Sequence, residues 1–425
     1  MKGDFSRDTS DPRRGYQSVL HQQGRMVLDA DLNEQAASHL HLMRQLACDL
    51  IGPHGGPGAE AGFEITIAEN GTILIGPGRY YVGGVHVEVP QLIEYNSQPF
   101  FRPAADDPLS SADRAANGKT ALMYLEVFER TASAAEDPSL ADPALGGSDT
   151  ALRRQTVWHV RSIETGTAFA QMGFNEINAL LDLETGAPPR LAIRAAQAAT
   201  SSELSGYLGA ENHLFRIEIH RGGGAGEAQY KWSRDNGVIV GSWHGFDGDL
   251  LRLSMREALQ PPAVVELSDG PREASGLPGV LVEIAADRND CYRIVTGDIE
   301  AVRALWETSL SRPFVRRWEL LRSGPAPGLA FVQVSQSPVP LWTFLGDGLE
   351  IAFEGGPFIA GDYWQLAARP GADLLWPGGR VAGFWKPKFC VPAGPLRWRA
   401  PLALVGKEEG RPAVRDLRRR FAPLM

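Results

Sequence analysis

Only one long stretch of this chain carries a helical period. Between Asp31 and Leu50, apolar residues recur at Leu32, Ala36, Leu40, Met43, Ala47 and Leu50. Spacings of three and four put them on one face of a helix. Asp31-Leu-Asn-Glu34 is a capping-box pattern, and Gly52-Pro53 is a stop signal. About 20 residues at 1.5 Å each make a rod of roughly 30 Å, and its stripe is expected to lie buried against the rest of the chain.

Beyond the helix the period shortens to two. Phe63–Ile67 alternates, Asn70-Gly71 is a hairpin signal, and Val85–Val89 alternates again after a Gly-rich turn, so a β-meander follows the helix. Strands are predicted at Leu122–Glu129 and Val157–Ile163, and a helix around Asn175–Leu183. From about residue 211 the chain reads as nearly all β, with a hairpin over Tyr230–Trp243 turning at Asp235-Asn-Gly237. Nine of the ten Trp stand at 232 or later. With 47 Gly and 30 Pro, turns are dense along the whole chain. The fold class expected is therefore mainly β and multidomain: an N-terminal long helix plus β-meander, then sandwich- or barrel-like modules with few helices. Four consecutive segments are expected. Residues 1–100 hold the helix and meander, 101–210 a mixed α/β segment with long loops, 211–370 a β-rich module, and 371–425 a basic, Trp-rich end.

Charge and composition exclude several functions. The formal charge of −9 disfavours nucleic acid as the main partner. No apolar run approaches the roughly 18 residues of a membrane-spanning helix. The charged N-terminus has no apolar core of a signal peptide, which predicts cytoplasmic synthesis for a chain that stays there until something other than the general secretory route moves it. Cys48, Cys291 and Cys390 are too scattered for a disulfide framework and read as reduced thiols. Between Arg380 and Arg420, eleven basic residues face three acidic ones. A basic end on an acidic chain suits tail-to-body docking, and Arg397, Arg399, Arg415, Arg418, Arg419 and Arg420, with Trp385 and Trp398, are the candidate interaction residues.

Chemical motifs are absent or incomplete. Asp29-Ala-Asp31-Leu-Asn33 opens like a calcium loop but has Glu34 where the Gly should be and Leu40 where the Glu should be. The Gly222–Gly226 run joins strand to strand and lacks the helix N-terminus of a phosphate cradle. The nine His form no zinc pair at i, i+4, and there is no nucleophile elbow. No catalytic residue, metal ligand or cofactor is assigned.

Several blocks together carry a family resemblance. They are Lys2-Gly-Asp-Phe-Ser-Arg-Asp8, Val19–Arg25, Leu28–Gln35, Leu50–Pro57, Gly76–Val82, Glu136-Asp-Pro138, Ala144–Thr150, Lys231-Trp-Ser-Arg-Asp-Asn-Gly237, Val315-Arg-Arg-Trp318, Gly346–Glu350, Gly361-Asp-Tyr-Trp364 and Leu402–Val405. In these the chain resembles a bacterial family with an uncharacterised domain, associated with phage-tail-like contractile injection systems. It departs at Leu32, where members often carry Trp, and over 380–399. The resemblance implies a structural, non-enzymatic part of a syringe-like particle. Its expected partners are tube, sheath, cap or baseplate subunits and further copies of itself. A low-copy end piece (cap, adaptor or baseplate) is the expected place. The rival readings are a carbohydrate-binding or carbohydrate-active β-protein that stacks sugars on the late Trp, and a cargo carried in the particle lumen.

Overall fold

The computed structural model describes residues 1–102, 107, 109, 120–145, 150–166, 168–181, 188–196, 207–255, 259–260, 262–288, 290–309, 312–321, 324–370, 374–381, 384–408 and 411–422. The fold is mainly β with few helices, and the chain forms two compact units, each assembled from separated segments. One comprises Thr9–Arg130, Gln155–Leu183 and Leu396–Met425 and is called here the helix unit. The other, the barrel unit, comprises Met1–Asp8, Thr131–Arg154 and Glu184–Pro395. This differs from the four consecutive segments expected, because strand pairing joins residues far apart in the chain. Arg397–Glu408 pairs antiparallel with Ala121–Ala132, with Ala400 opposite Leu125.

In the helix unit the helix is followed by the expected strands, as two hairpins that belong to different sheets. Ile65–Ile67 pairs with Ile73–Ile75 around Asn70-Gly71, where Gly71 takes φ +84° and Asn70 Oδ1 accepts from the Thr72 backbone at 3.0 Å. Gly78–Val82 and Val85–Val89 close through Gly83-Gly84, both at positive φ. Glycine is required at position 84 for a second reason. A Cβ there would stand 2.3 Å from the Arg44 carbonyl oxygen, so the helix backbone rides directly on this turn. The unit's core runs from Phe63 and Tyr80 through Val87 to Leu125 and Leu402.

The helix spans Asp29–Ile51, starting three residues earlier than the capping box implied. Asp31 reaches back to the Leu28 backbone N–H at 3.4 Å, and Asp29 joins it in the first turn, where carboxylates favour the helix dipole. The burial expectation is corrected. Of the stripe, Leu32, Ala36, Met43 and Leu50 are exposed, and only Leu40 and Ala47 are half-buried. The inward side is instead Ala30, Ala37, Arg44, Cys48 and Ile51, with Ala30 its only fully buried residue. Arg44 pairs with Glu129 and lies 5.3 Å from the Trp398 ring.

The barrel unit contains a closed six-stranded barrel in the order Val240–Asp247, Leu250–Met255, Cys291–Thr296, Val280–Arg288, Ala263–Asp269, Pro313–Trp318. Trp243, Leu253, Val265, Val282 and Val315 fill it. The helix Ile299–Glu307, capped by Asp298 at 3.0 Å from the Ala301 N–H, contributes Val302 and Leu305 to the same core. Beside the barrel a four-stranded sheet runs Ala330–Phe331, Gln229–Ser233, His213–Arg221, Tyr363–Ala368. Tyr230–Trp243 is therefore not a hairpin. The Asp235-Asn-Gly237 turn is present, with Asn236 at φ +50° and Gly237 at +65°, but it hands the chain from this sheet to the barrel. Ser233 Oγ accepts from the Asp235 and Gly237 backbones at 3.2 and 3.0 Å, taking up donors a hairpin ladder would use.

Candidate functional site

In the barrel unit, the strand His213–Arg221 carries Arg216, Glu218 and His220 at alternate positions, so all three share one face. All three are buried, as are Lys231 on the neighbouring strand and Glu266 and Arg316 on the barrel. Glu218 is met by three cations: Arg216 at 2.6 Å, Lys231 at 3.3 Å and Lys2 at 3.4 Å. Glu266 takes Lys231 at 2.6 Å, the Trp318 indole N–H at 2.8 Å and the Gly279 backbone N–H at 3.0 Å. Lys2 also pairs with Glu273, and Arg316 donates to the Gly237 carbonyl.

Aromatic faces complete the lattice. The Arg216 guanidinium lies 3.6 Å from the centroid of the Tyr363 ring, and the Lys231 ammonium 4.4 Å from that of Trp318. Asn236 is fully buried and donates to the carbonyls of Met1 and Gly3 at 2.9 Å each, while Gln365 donates to its Oδ1 at 2.7 Å. The left-handed turn at Asn236 thus aims a side chain that helps to hold the N-terminal segment in place, together with Gln365, which donates to the Met1 carbonyl at 3.1 Å, and Arg369, which donates to that of Ser6 at 2.6 Å.

The electrostatics follow from this packing. Burial pushes the Glu218 carboxyl up, but Lys2, Arg216 and Lys231 outweigh it and hold it well below the usual range. Glu266 is lowered in the same way, burial being overcome by Lys231 first and with it by Lys2. His220 is pushed down to about 4, by burial first and then by Lys231. Its Nδ1 is 3.6 Å from Glu266, too far for a hydrogen bond, as suits a neutral ring. Carboxylates this strongly held in the ionised form are poor proton carriers near neutral pH. The arrangement fixes the register of two sheets and one terminal segment.

Lys2–Asp8, Lys231–Gly237, Val315–Trp318 and Gly361–Trp364 all contribute to this lattice: four of the blocks quoted for the resemblance meet in one place. Reading the sequence assigned no role to Glu218, Glu266 or Arg216. The signal available was charge at alternate positions in an otherwise apolar strand, Phe215-Arg-Ile-Glu-Ile-His220.

The candidate interaction residues lie elsewhere. In the helix unit Arg399 donates to Glu126 at 3.0 and 2.9 Å, opposite Arg161 at 2.8 Å, and Arg397 adds to the field on that buried carboxylate. Arg418 is buried, donating to Asp416 at 2.9 Å and to the Ala61 and Gly62 carbonyls at 2.8 and 3.0 Å. Arg415 donates to the Met172 carbonyl, and Trp398 is half-buried under Arg44. Arg399 and Arg418 thus bind within the unit, because the basic end is threaded through it as strands. Arg419 and Arg420 are exposed, the latter 3.1 Å from Asp416. Trp385 falls in the strand Phe384–Pro387, and its side chain lies outside the described residues. Trp364 and Trp376 are buried in the barrel unit's sheet core.

Among the described residues, no group of three or more His, Cys, Asp or Glu could hold a metal ion, and no helix is long and apolar enough to cross a membrane. A family model described as a family of unknown function (DUF6519) matches residues 1–206, and the chain is similar to that family over this part. No curated protein and no solved structure matches it.

Proposed function

We propose that this chain is a structural component of a phage-tail-like contractile injection particle, acting by protein–protein docking and not by making or breaking bonds. A low-copy end piece, as cap, adaptor or baseplate part, is the place the reading assigns it. Tube, sheath, cap or baseplate subunits and other copies of the chain are its partners. One observation carries the reading. Four of the blocks that resemble that family converge on a buried lattice in which each carboxylate is matched to cations or indole and backbone N–H groups of the same unit. Where the resemblance is concentrated, the residues build architecture. The outward apolar face of the long helix supports docking, since contiguous exposed apolar surface marks interaction sites.

The test is sedimentation. Particles purified from cells that produce this chain are probed with an antibody to it and imaged with immunogold. The chain is expected in the particle fraction, with label at one end. If it stays at the top of the gradient while intact particles sediment, the reading fails.

A further inference from the structure

The outward side of the helix Asp29–Ile51 carries a second pattern. Leu32, Ala36, His39, Met43, Leu46 and Leu50 are all exposed and follow spacings of 4, 3, 4, 3 and 4. Leu32 is 57 % exposed, Met43 68 %, Leu46 60 % and Leu50 59 %. A repeat of 3.5 residues over about 27 Å is the seam of a coiled coil, which meshes with another helix and with little else. Among the described residues of the unit, no second helix covers this face, and its apolar side chains stay exposed.

The geometry points to the same helix of a second copy, packed antiparallel. In an antiparallel pair the two kinds of seam position alternate across the interface. Leu32 then faces Leu50 of the other copy, Ala36 faces Leu46 and His39 faces Met43. Every layer sets a small or polar residue against a large apolar one, or Leu against Leu. A parallel pair would place Ala36 on Ala36, leaving a gap, and His39 on His39.

Charge favours the same choice. The first turn of the helix carries Asp29 and Asp31. At the other end the exposed Arg419 guanidinium lies over Gly52, 3.4 Å from where a Cβ would stand. Antiparallel packing brings the acidic end of each copy to the Arg419 end of the other. A parallel pair would bring like charges together at both ends.

This interface deepens the docking reading, and it rests on that reading only in taking the exposed face as functional. Its test uses the purified full-length chain alone. Sedimentation equilibrium is expected to show a dimer, and Met43→Glu with Leu46→Glu to weaken it at least a hundredfold. The fold should survive, since both side chains are exposed, and circular dichroism checks this. Cysteine pairing then reads the orientation, with Cys48 and Cys390 changed to Ser. Mixing Ala36→Cys chains with Leu46→Cys chains should give a disulfide-linked heterodimer. Ala36→Cys alone should give none, because in this packing its two copies stand about 15 Å apart along the axis. A monomer at every concentration, a dimer indifferent to the two glutamates, or linkage of Ala36→Cys to itself would each overturn the proposal. None of these outcomes depends on whether the chain enters a particle, which the gradient experiment decides separately.

Discussion

The barrel unit and the helix unit invert the usual arrangement in opposite ways. The first buries Arg216, Glu218, Lys231, Glu266 and Arg316, and the second leaves Leu32, Met43, Leu46 and Leu50 in water. Buried charge is stable only when every group is matched, so the lattice admits one geometry and tolerates little error. Exposed leucine costs stability slightly and leaves the surface available to another chain. Matched charge inside and bare apolar surface outside thus belong to separate parts of one polypeptide.

The contrast can be broken most severely at Lys231. Lys231→Met leaves Glu218 and Glu266 each short of a cation inside the protein, and is expected to cost about 3–5 kcal/mol in urea unfolding. A loss under about 1 kcal/mol would mean the lattice is hydrated. Next comes pH. His220 and His159 are each pushed down to about 4, chiefly by burial, against 6.5 when unfolded. His220 faces Lys231, Glu266 and Glu218; His159 faces Arg161 and Glu126. Because the unfolded chain binds these protons first, their contribution is complete above 6.5 and is lost as pH falls towards 4. It amounts to roughly 3 kcal/mol per ring. His220→Gln should flatten that part of the profile; an unchanged slope would show the ring is not buried neutral. On the helix, Leu46→Asp should change the stability of dilute chain by no more than about 0.5 kcal/mol. A larger loss would mean the face is covered within one chain. Equally small, Arg420→Ala removes an exposed pair with Asp416 and should cost no more than about 0.5 kcal/mol in urea unfolding.

The β class, the two hairpins that follow the helix and the helix itself were legible because each rests on local period and turn chemistry, as at Asn70-Gly71. The inward face of the helix was not. Leu32, Ala36, Met43 and Leu50 fit both a 3.6 and a 3.5 repeat, and the choice between faces was made by Gly84, which demands close approach, and by Glu129, which draws Arg44 inward. The basic end was legible as charge but not as contact: Arg399 finds Glu126, and Arg418 the Ala61 carbonyl, across most of the chain. The lattice was visible only as sequence blocks without a shared purpose, since nothing local links Lys2 to Glu218.

The pairing of Ala121–Ala132 with Arg397–Glu408 has a consequence for biosynthesis. Glu126 leaves the ribosome 273 residues before Arg399. At ordinary elongation rates this is a delay of about 15 to 55 s, through which a buried strand edge and a carboxylate wait without their mate. A nascent chain of this kind offers a long window to chaperones. It cannot complete the sheet edge at Ala121–Ala132 until Arg397–Glu408 has been translated.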